Sequence, residues 1–168
     1  MAAVNRQFTV TLLDPMWRVL RSAGFRKQGQ LFRRSVNDVL HLVQLQKSRS
    51  STAALVRATV NLAVWVPALA VHRERYSVAA APCRERLGTV MPSGQDAWWE
   101  MSTDAEGEAA GLAIVGTLQR YGLPWLNTIE STAALLELWE SGRAPGLTVV
   151  ERGRFLERLR GLRDAKAI

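Results

Sequence analysis

Two long stretches alternate between apolar and other side chains, and that alternation constrains the fold more than any other feature of the chain. From Leu55 to Val66, the side chains Val56, Ala58, Val60, Leu62, Val64 and Val66 fall on one side of an extended backbone. Arg57, Thr59, Asn61, Ala63 and Trp65 fall on the other. Successive side chains of a strand point to opposite faces, so a period of two describes a strand with one face buried. Val39 to Lys47 repeats the pattern, with His41, Val43, Leu45 and Lys47 on one side and Leu40, Leu42, Gln44 and Gln46 on the other. A short strand at residues 31–34 precedes it through Val36-Asn37-Asp38-Val39, where Asn and Asp favour a tight turn. Ser48 to Thr52 is a polar connection of hairpin length. Short connections make such a meander antiparallel. Cys83 to Met91 reads as a fourth strand and Ala97 to Met101 as a short fifth, with a turn at Pro92-Ser93-Gly94 between them. Pro67 to Pro82 is irregular or partly helical.

Helical periodicity flanks this sheet. Phe8, Leu12, Met16 and Leu20 recur every four residues, and Pro15 either kinks that helix or follows a capping Asp14 at a helix start. Gly24 ends it, and Phe25 falls where a Schellman motif packs an apolar residue against Leu20. Thr103 and Glu106 have capping-box spacing, opening a helix to Tyr121 that Gly122-Leu123-Pro124 is expected to stop. Asn127 or Thr128 is the expected cap of a helix carrying Ile129, Ala133, Leu136 and Trp139 and ended by Gly142. Arg143 to Leu147 reads as a loop, and a last helix from about Val150 carries Phe155, Leu156, Leu159 and Leu162. The expectation is a single α+β domain over residues 1–168. Its antiparallel sheet of about five strands is packed on one face by the N-terminal helix and the C-terminal helices.

Composition narrows the class. An apolar fraction of 48% in 168 residues excludes a disordered chain and supplies a true core. One cysteine excludes an internal disulfide and a cysteine-based zinc cluster. The longest apolar stretch, Ala58 to Val71, is broken by Thr59, Asn61 and Pro67 and falls short of the roughly 20 residues of a membrane-spanning helix. The start, Met-Ala-Ala-Val-Asn-Arg, lacks the pattern of a signal peptide. A cytoplasmic location is therefore expected. The net charge of +7 is unevenly spread: residues 1–84 hold 13 basic and 3 acidic side chains, residues 85–168 hold 9 and 12. Arginine outnumbers lysine 19 to 3, in keeping with the codon bias of a GC-rich genome, which weakens arguments from arginine abundance alone.

A set of short motifs occurs in a fixed order: Ala23-Gly24-Phe25-Arg26-Lys27, Phe32-Arg33-Arg34, Gln46-Lys47-Ser48, Asn61-Leu62, Cys83-Arg84-Glu85-Arg86-Leu87-Gly88, Asp96-Ala97-Trp98-Trp99 and Tyr121-Gly122-Leu123-Pro124. Together they resemble the bacterial family called domain of unknown function 4304, over about residues 8–126. The resemblance supports the fold and a bacterial origin and carries no activity with it.

The candidate site lies on the meander. Arg33, Gln44, Gln46, Lys47, Arg57 and Asn61 sit on the three consecutive strands, Arg84 and Arg86 on the fourth, and Trp98 and Trp99 at the fifth. Polar side chains on a sheet face beside aromatic rings suit recognition of a ligand or a partner chain. Basic groups with aromatic faces also suit nucleic acid. The plainer alternative is a solvated sheet face with tryptophan as core filler. Other candidates read as structural. Cys83 has no base at catalytic spacing and reads as a small buried residue. His41 and His72 are isolated, so no metal is expected. Glu100, Asp104, Glu106 and Glu108 cluster where a helix N-terminus favours acids. The arginine-rich last helix reads as docked on its own domain. No phosphate-binding loop, dinucleotide fingerprint or hydrolase elbow occurs. The leading expectation is thus a non-enzymatic module binding another protein, with an immunity protein as one such role, and without a cofactor. A nucleic-acid-binding protein is second, and an enzyme with an unfamiliar site third.

Overall fold

The computed structural model describes residues 8–52, 54–70, 75–143 and 148–165. His72, with the polar run around it, and Pro145-Gly146 in the expected loop lie outside the described residues. Six strands form one antiparallel sheet: β1 (Arg26–Gln28), β2 (Leu31–Val36), β3 (Val39–Lys47), β4 (Val56–Trp65), β5 (Cys83–Arg86) and β6 (Trp99–Met101). The order is β1-β2-β3-β4-β5, and β6 shares the β5 edge of β4 further along it. β4 pairs Asn61–Val64 with β5 and Val56–Ala58 with β6. The expected meander is present, with one strand more than the alternation predicts. β1 escapes detection because Arg-Lys-Gln has no apolar period. The fourth strand stops at Arg86, five residues early. There the Thr89 hydroxyl bonds back to the Arg86 carbonyl and the Glu85 carboxylate, closing a turn.

One sheet face carries the main core. Phe32, Val43, Leu45, Val60, Leu62, Val64 and Cys83 point toward the helices α1 (Asp14–Ser22), α2 (Asp104–Thr117), α3 (Leu123–Asn127), α4 (Thr132–Glu140) and α5 (Val149–Asp164). Each fully buried Leu, Val or Phe contributes roughly 1.5–3 kcal/mol. The capping box at Thr103 and Glu106 is formed as expected, and a second one joins Thr148 to Glu151. The Schellman motif after α1 is also formed: Phe25 N donates to Leu20 O at 2.9 Å, Gly24 N to Arg21 O at 3.1 Å, and Gly24 has φ +85°.

Two prolines are absorbed by one device. A five-residue π turn, Thr9–Leu13, runs into α1 ahead of Pro15, and another, Leu118–Gly122, joins α2 to α3 ahead of Pro124. Proline has no N–H for the carbonyl four residues back, and the wider turn shifts the bonding by one residue. Gly122-Leu123-Pro124 therefore does not stop the helix. Gly122 keeps helical dihedrals and is glycine for closeness, because a Cβ there would lie 2.8 Å from Leu87 and 3.1 Å from Leu118. The cap of α4 is likewise neither Asn127 nor Thr128. Ser131 caps it, Asn127 accepts from Arg34, and the Thr128 hydroxyl donates to Trp125 O. Ala133 is exposed, while Thr132, Leu135, Leu136 and Trp139 form the buried face.

A polar latch crosses the core. Arg34 donates through Nη1 to Ala23 O at 3.0 Å and through Nη2 to Asn127 Oδ1 at 2.6 Å and His41 Nδ1 at 3.0 Å. His41 Nε2 donates to Ile129 O at 2.8 Å, so the ring is the neutral Nε2–H tautomer. Burial lowers the His41 pKa, the contact with Ile129 O raises it, and nearby Arg34 lowers it further. At the hairpin tip Asn37, with φ +45°, donates to Glu130 O, and Asp38 accepts from Thr132 N. These bonds tie the β2–β3 hairpin to the start of α4.

α5 docks on the domain through buried Leu159 and half-buried Phe155, Leu156 and Leu162. Three of its arginines are engaged locally: Arg160 and Arg163 pair with Glu140, and Arg158 donates to Leu69 O. Among the described residues no helix is long and apolar enough to cross a membrane.

Candidate functional site

The second sheet face has two unlike ends. At one end Leu40, Leu42, Ala63 and Trp65 form a smaller apolar cluster, roofed by Val78 and Ala81 from the irregular segment after β4. The other end carries Gln44, Gln46, Arg57, Thr59 and Asn61, and among the described residues no helix covers it. Register alone assembles it. Gln44 lies opposite Asn61, Gln46 opposite Thr59, and Asn61 in turn opposite Arg86. Asn61 Nδ2 donates to Gln46 Oε1 at 2.8 Å. Gln46 is exposed and Gln44 half-exposed, so their amides keep further donors and acceptors available.

The loop between β5 and β6 walls this end. Thr59 Oγ1 donates to Ala97 O at 2.8 Å. The turn after β5 nests against the same loop at Gly88, where a Cβ would lie 2.3 Å from Ala97 N. That contact fixes Asp96 and Trp98. Asp96 accepts from the Trp98 indole N–H at 3.0 Å and from Arg86. The guanidinium carbons of Arg86 and Arg57 lie 5.1 and 5.7 Å from the Trp98 ring centroid, within the range of a cation–π attraction. Arg57 also lies 2.7 Å from Glu100. A cleft of about 300 Å³ opens beside this group, between Asn61, Val78, Arg84, Glu85 and Arg86.

The structure thus brings together Gln44, Gln46, Arg57, Asn61, Arg84, Arg86 and Trp98. It separates three others from them. Lys47 lies opposite Ala58, and Trp99 does too, so both are on the helix-covered face, where Trp99 packs against the core. The strand period places Lys47 there, with Leu45 rather than with Gln46. Arg33 shares the second face but lies at its apolar end, opposite Leu42 and 5.2 Å from the Tyr76 ring. Trp65 is buried in the smaller cluster. In the sequence, Asp96 stands out only within the motif Asp96-Ala97-Trp98-Trp99 and not as a site residue, yet its carboxylate organises Arg86 and Trp98. Only the closeness of Asp96 and Trp98 in sequence hints at this.

The arginines of this face are largely neutralised in place. Arg57 pairs with Glu100, Arg86 with Asp96, and Arg84 with Glu151 at 3.3 Å, while Arg84 also donates to Ala79 O. Bonds from Thr148 and Arg84 hold the Glu151 carboxyl below its ordinary range. Cys83 faces the opposite side, fully buried, and burial with the nearby Glu85 charge pushes its thiol up to about 12. Among the described residues no group of three or more His, Cys, Asp and Glu side chains is arranged to hold a metal ion.

The family model described as domain of unknown function (DUF4304) matches residues 17–128. The chain belongs to this family. The matched segment contains the whole sheet, the β5–β6 loop that walls the polar end and the latch residues Arg34, His41 and Asn127, and ends before α4. Within it, Gly24, Gly88 and Gly122 serve the fold, whereas Gln46, Asn61 and Trp98 meet at the open end of the sheet. No curated protein and no solved structure matched the chain.

Proposed function

We propose that this protein is a non-enzymatic binding module that engages another protein through the polar, helix-free end of its sheet. The observation that carries the reading is Trp98. Its indole is held half-exposed between Asp96 and the guanidinium groups of Arg57 and Arg86, beside a floor of Gln44, Gln46 and Asn61. Tryptophan and arginine dominate the energetic centres of protein interfaces, and carboxamides recognise backbone amides with both a donor and an acceptor. A phosphate backbone needs unpaired cations, and Arg57, Arg84 and Arg86 already face carboxylates. That pairing favours a protein partner over nucleic acid. A cytoplasmic setting is part of the proposal and rests on the lone thiol.

The test is affinity capture from the native host with the wild-type chain and with Trp98→Ala/Asn61→Ala as paired baits. A stoichiometric protein recovered by the first and lost by the second supports the reading. Recovery of none, or of the same protein by both, overturns it. Binding of DNA or RNA that weakens steeply with salt and is lost in the double variant replaces it with the nucleic-acid reading.

A further inference from the structure

The larger cleft lies on the other side of the sheet, where the turn after β5 meets α3, α4 and the first turn of α5. Its volume is about 570 Å³, within the range of sites for small organic molecules. The walls are Val90, Trp125 and Leu138, each half-buried against the core and contributing its remaining apolar surface to the cleft. Arg143 and Arg152 also line it.

These two arginines differ from the others nearby. Arg57, Arg84, Arg86, Arg160 and Arg163 each face a carboxylate within 4 Å. Among the described residues neither Arg143 nor Arg152 does. Arg143 donates only to Ser141 Oγ at 3.1 Å. Arg152 Nε is shielded from solvent and has no acceptor, an arrangement that costs free energy for a charged group. Arg152 also stands in the first turn of α5, where the helix field disfavours a cation. Among the described residues the one carboxylate lining the cleft, Glu85, accepts from the Thr89 hydroxyl. Two guanidinium groups against one carboxylate leave one uncompensated positive charge. Guanidinium groups bind oxyanions bidentately, with charge on both sides of the hydrogen bonds.

We infer that this cleft binds an organic oxyanion with a flat apolar body, the body against Trp125, Val90 and Leu138 and the oxyanion at Arg152 and Arg143. The cleft adjoins the polar end of the sheet at Glu85, which lines both clefts, while Arg143, Arg152 and Trp125 line only this one.

The experiment is a fluorescence titration with 8-anilinonaphthalene-1-sulfonate, an aromatic sulfonate, at about 50 mM salt to limit screening. Saturable binding at one site per chain is expected. Arg152→Gln and Arg143→Gln weaken it at least about tenfold each, the scale of a lost charge-assisted hydrogen bond. Arg154→Gln, exposed on the same helix, and Trp98→Ala leave it unchanged. The neutral N-phenyl-1-naphthylamine is insensitive to Arg152→Gln. Thermal melting of each variant separates loss of the site from loss of the fold. Absence of saturable binding, equal affinity in both cleft variants and the wild type, or equal weakening in Arg154→Gln overturns the inference.

Discussion

Three glycines of α2 differ in what surrounds them, and replacing each by alanine gives opposite expected outcomes. Gly111 faces the π turn ahead of Pro15, and a Cβ on it would lie 2.0 Å from the Thr11 carbonyl oxygen. That oxygen is backbone, so the π turn and α2 must separate by about 1.5 Å to restore van der Waals contact. Overpacking of a well-filled interior costs about 1–3 kcal/mol. At about 2–4 °C per kcal/mol for a domain of this size, Gly111→Ala should melt roughly 2–12 °C below the wild type. Gly116 has nothing within 4 Å and is exposed. Gly116→Ala removes only backbone freedom and adds up to about 1 kcal/mol, raising the melting temperature by roughly 2–4 °C. Gly107 would meet the Thr11 side chain at 3.0–3.2 Å, and its alanine variant should fall between the two. Calorimetry and urea unfolding read all three. A Gly111→Ala protein melting at or above the wild type refutes the close crossing of α1 and α2.

Other consequences follow from named groups. The buried His41 has a lowered pKa, so below the ordinary value near 6.5 the unfolded chain takes up a proton that the folded one refuses. Its contribution to stability is complete above that pH and falls by up to about 1.4 kcal/mol per unit below it. Urea midpoints between pH 7 and 5 should show this slope, and His41→Gln should flatten it; an unchanged slope contradicts the latch. Cys83, buried with its thiol pushed up to about 12, should react with an aromatic disulfide reagent only as fast as the chain unfolds; rapid labelling of the native protein excludes that placement. Trp139→Ala should cost about 3–5 kcal/mol as a core truncation, whereas Trp98→Ala should cost roughly 1 kcal/mol or less, as measured by chemical denaturation. Equal losses would put Trp98 in the core and remove it from the binding surface.

Much of the sheet was legible because an alternating pattern reports its own face. The sides read for Val39–Lys47 and Leu55–Val66 are the sides observed, and the pairing of Gln44 with Asn61 follows once the two strands are set in register. Three features were hidden, each for a separate reason. β1 is three polar residues paired along one edge of β2, and pairing without burial leaves no period. Gly122-Leu123-Pro124 has the composition of a helix stop, yet the π turn before Pro124 continues the helix and Gly122 serves close packing on Leu87. Asp96 joins the site through a loop anchored by Thr59 and Gly88, a tertiary contact that local pattern does not encode. The charge asymmetry points to the half that holds most of the sheet but overstates how available its charge is, because the carboxylates of Glu100 and Glu151 come from the acidic half to meet Arg57 and Arg84.

The most direct test of the binding face is an amide footprint of the complex with the captured partner, by NMR shift perturbation or hydrogen exchange. The account predicts that changes concentrate at residues 44–46, 57–61 and 96–98, with the helices α4 and α5 little affected. Changes confined to those helices, with the polar end of the sheet undisturbed, would contradict it.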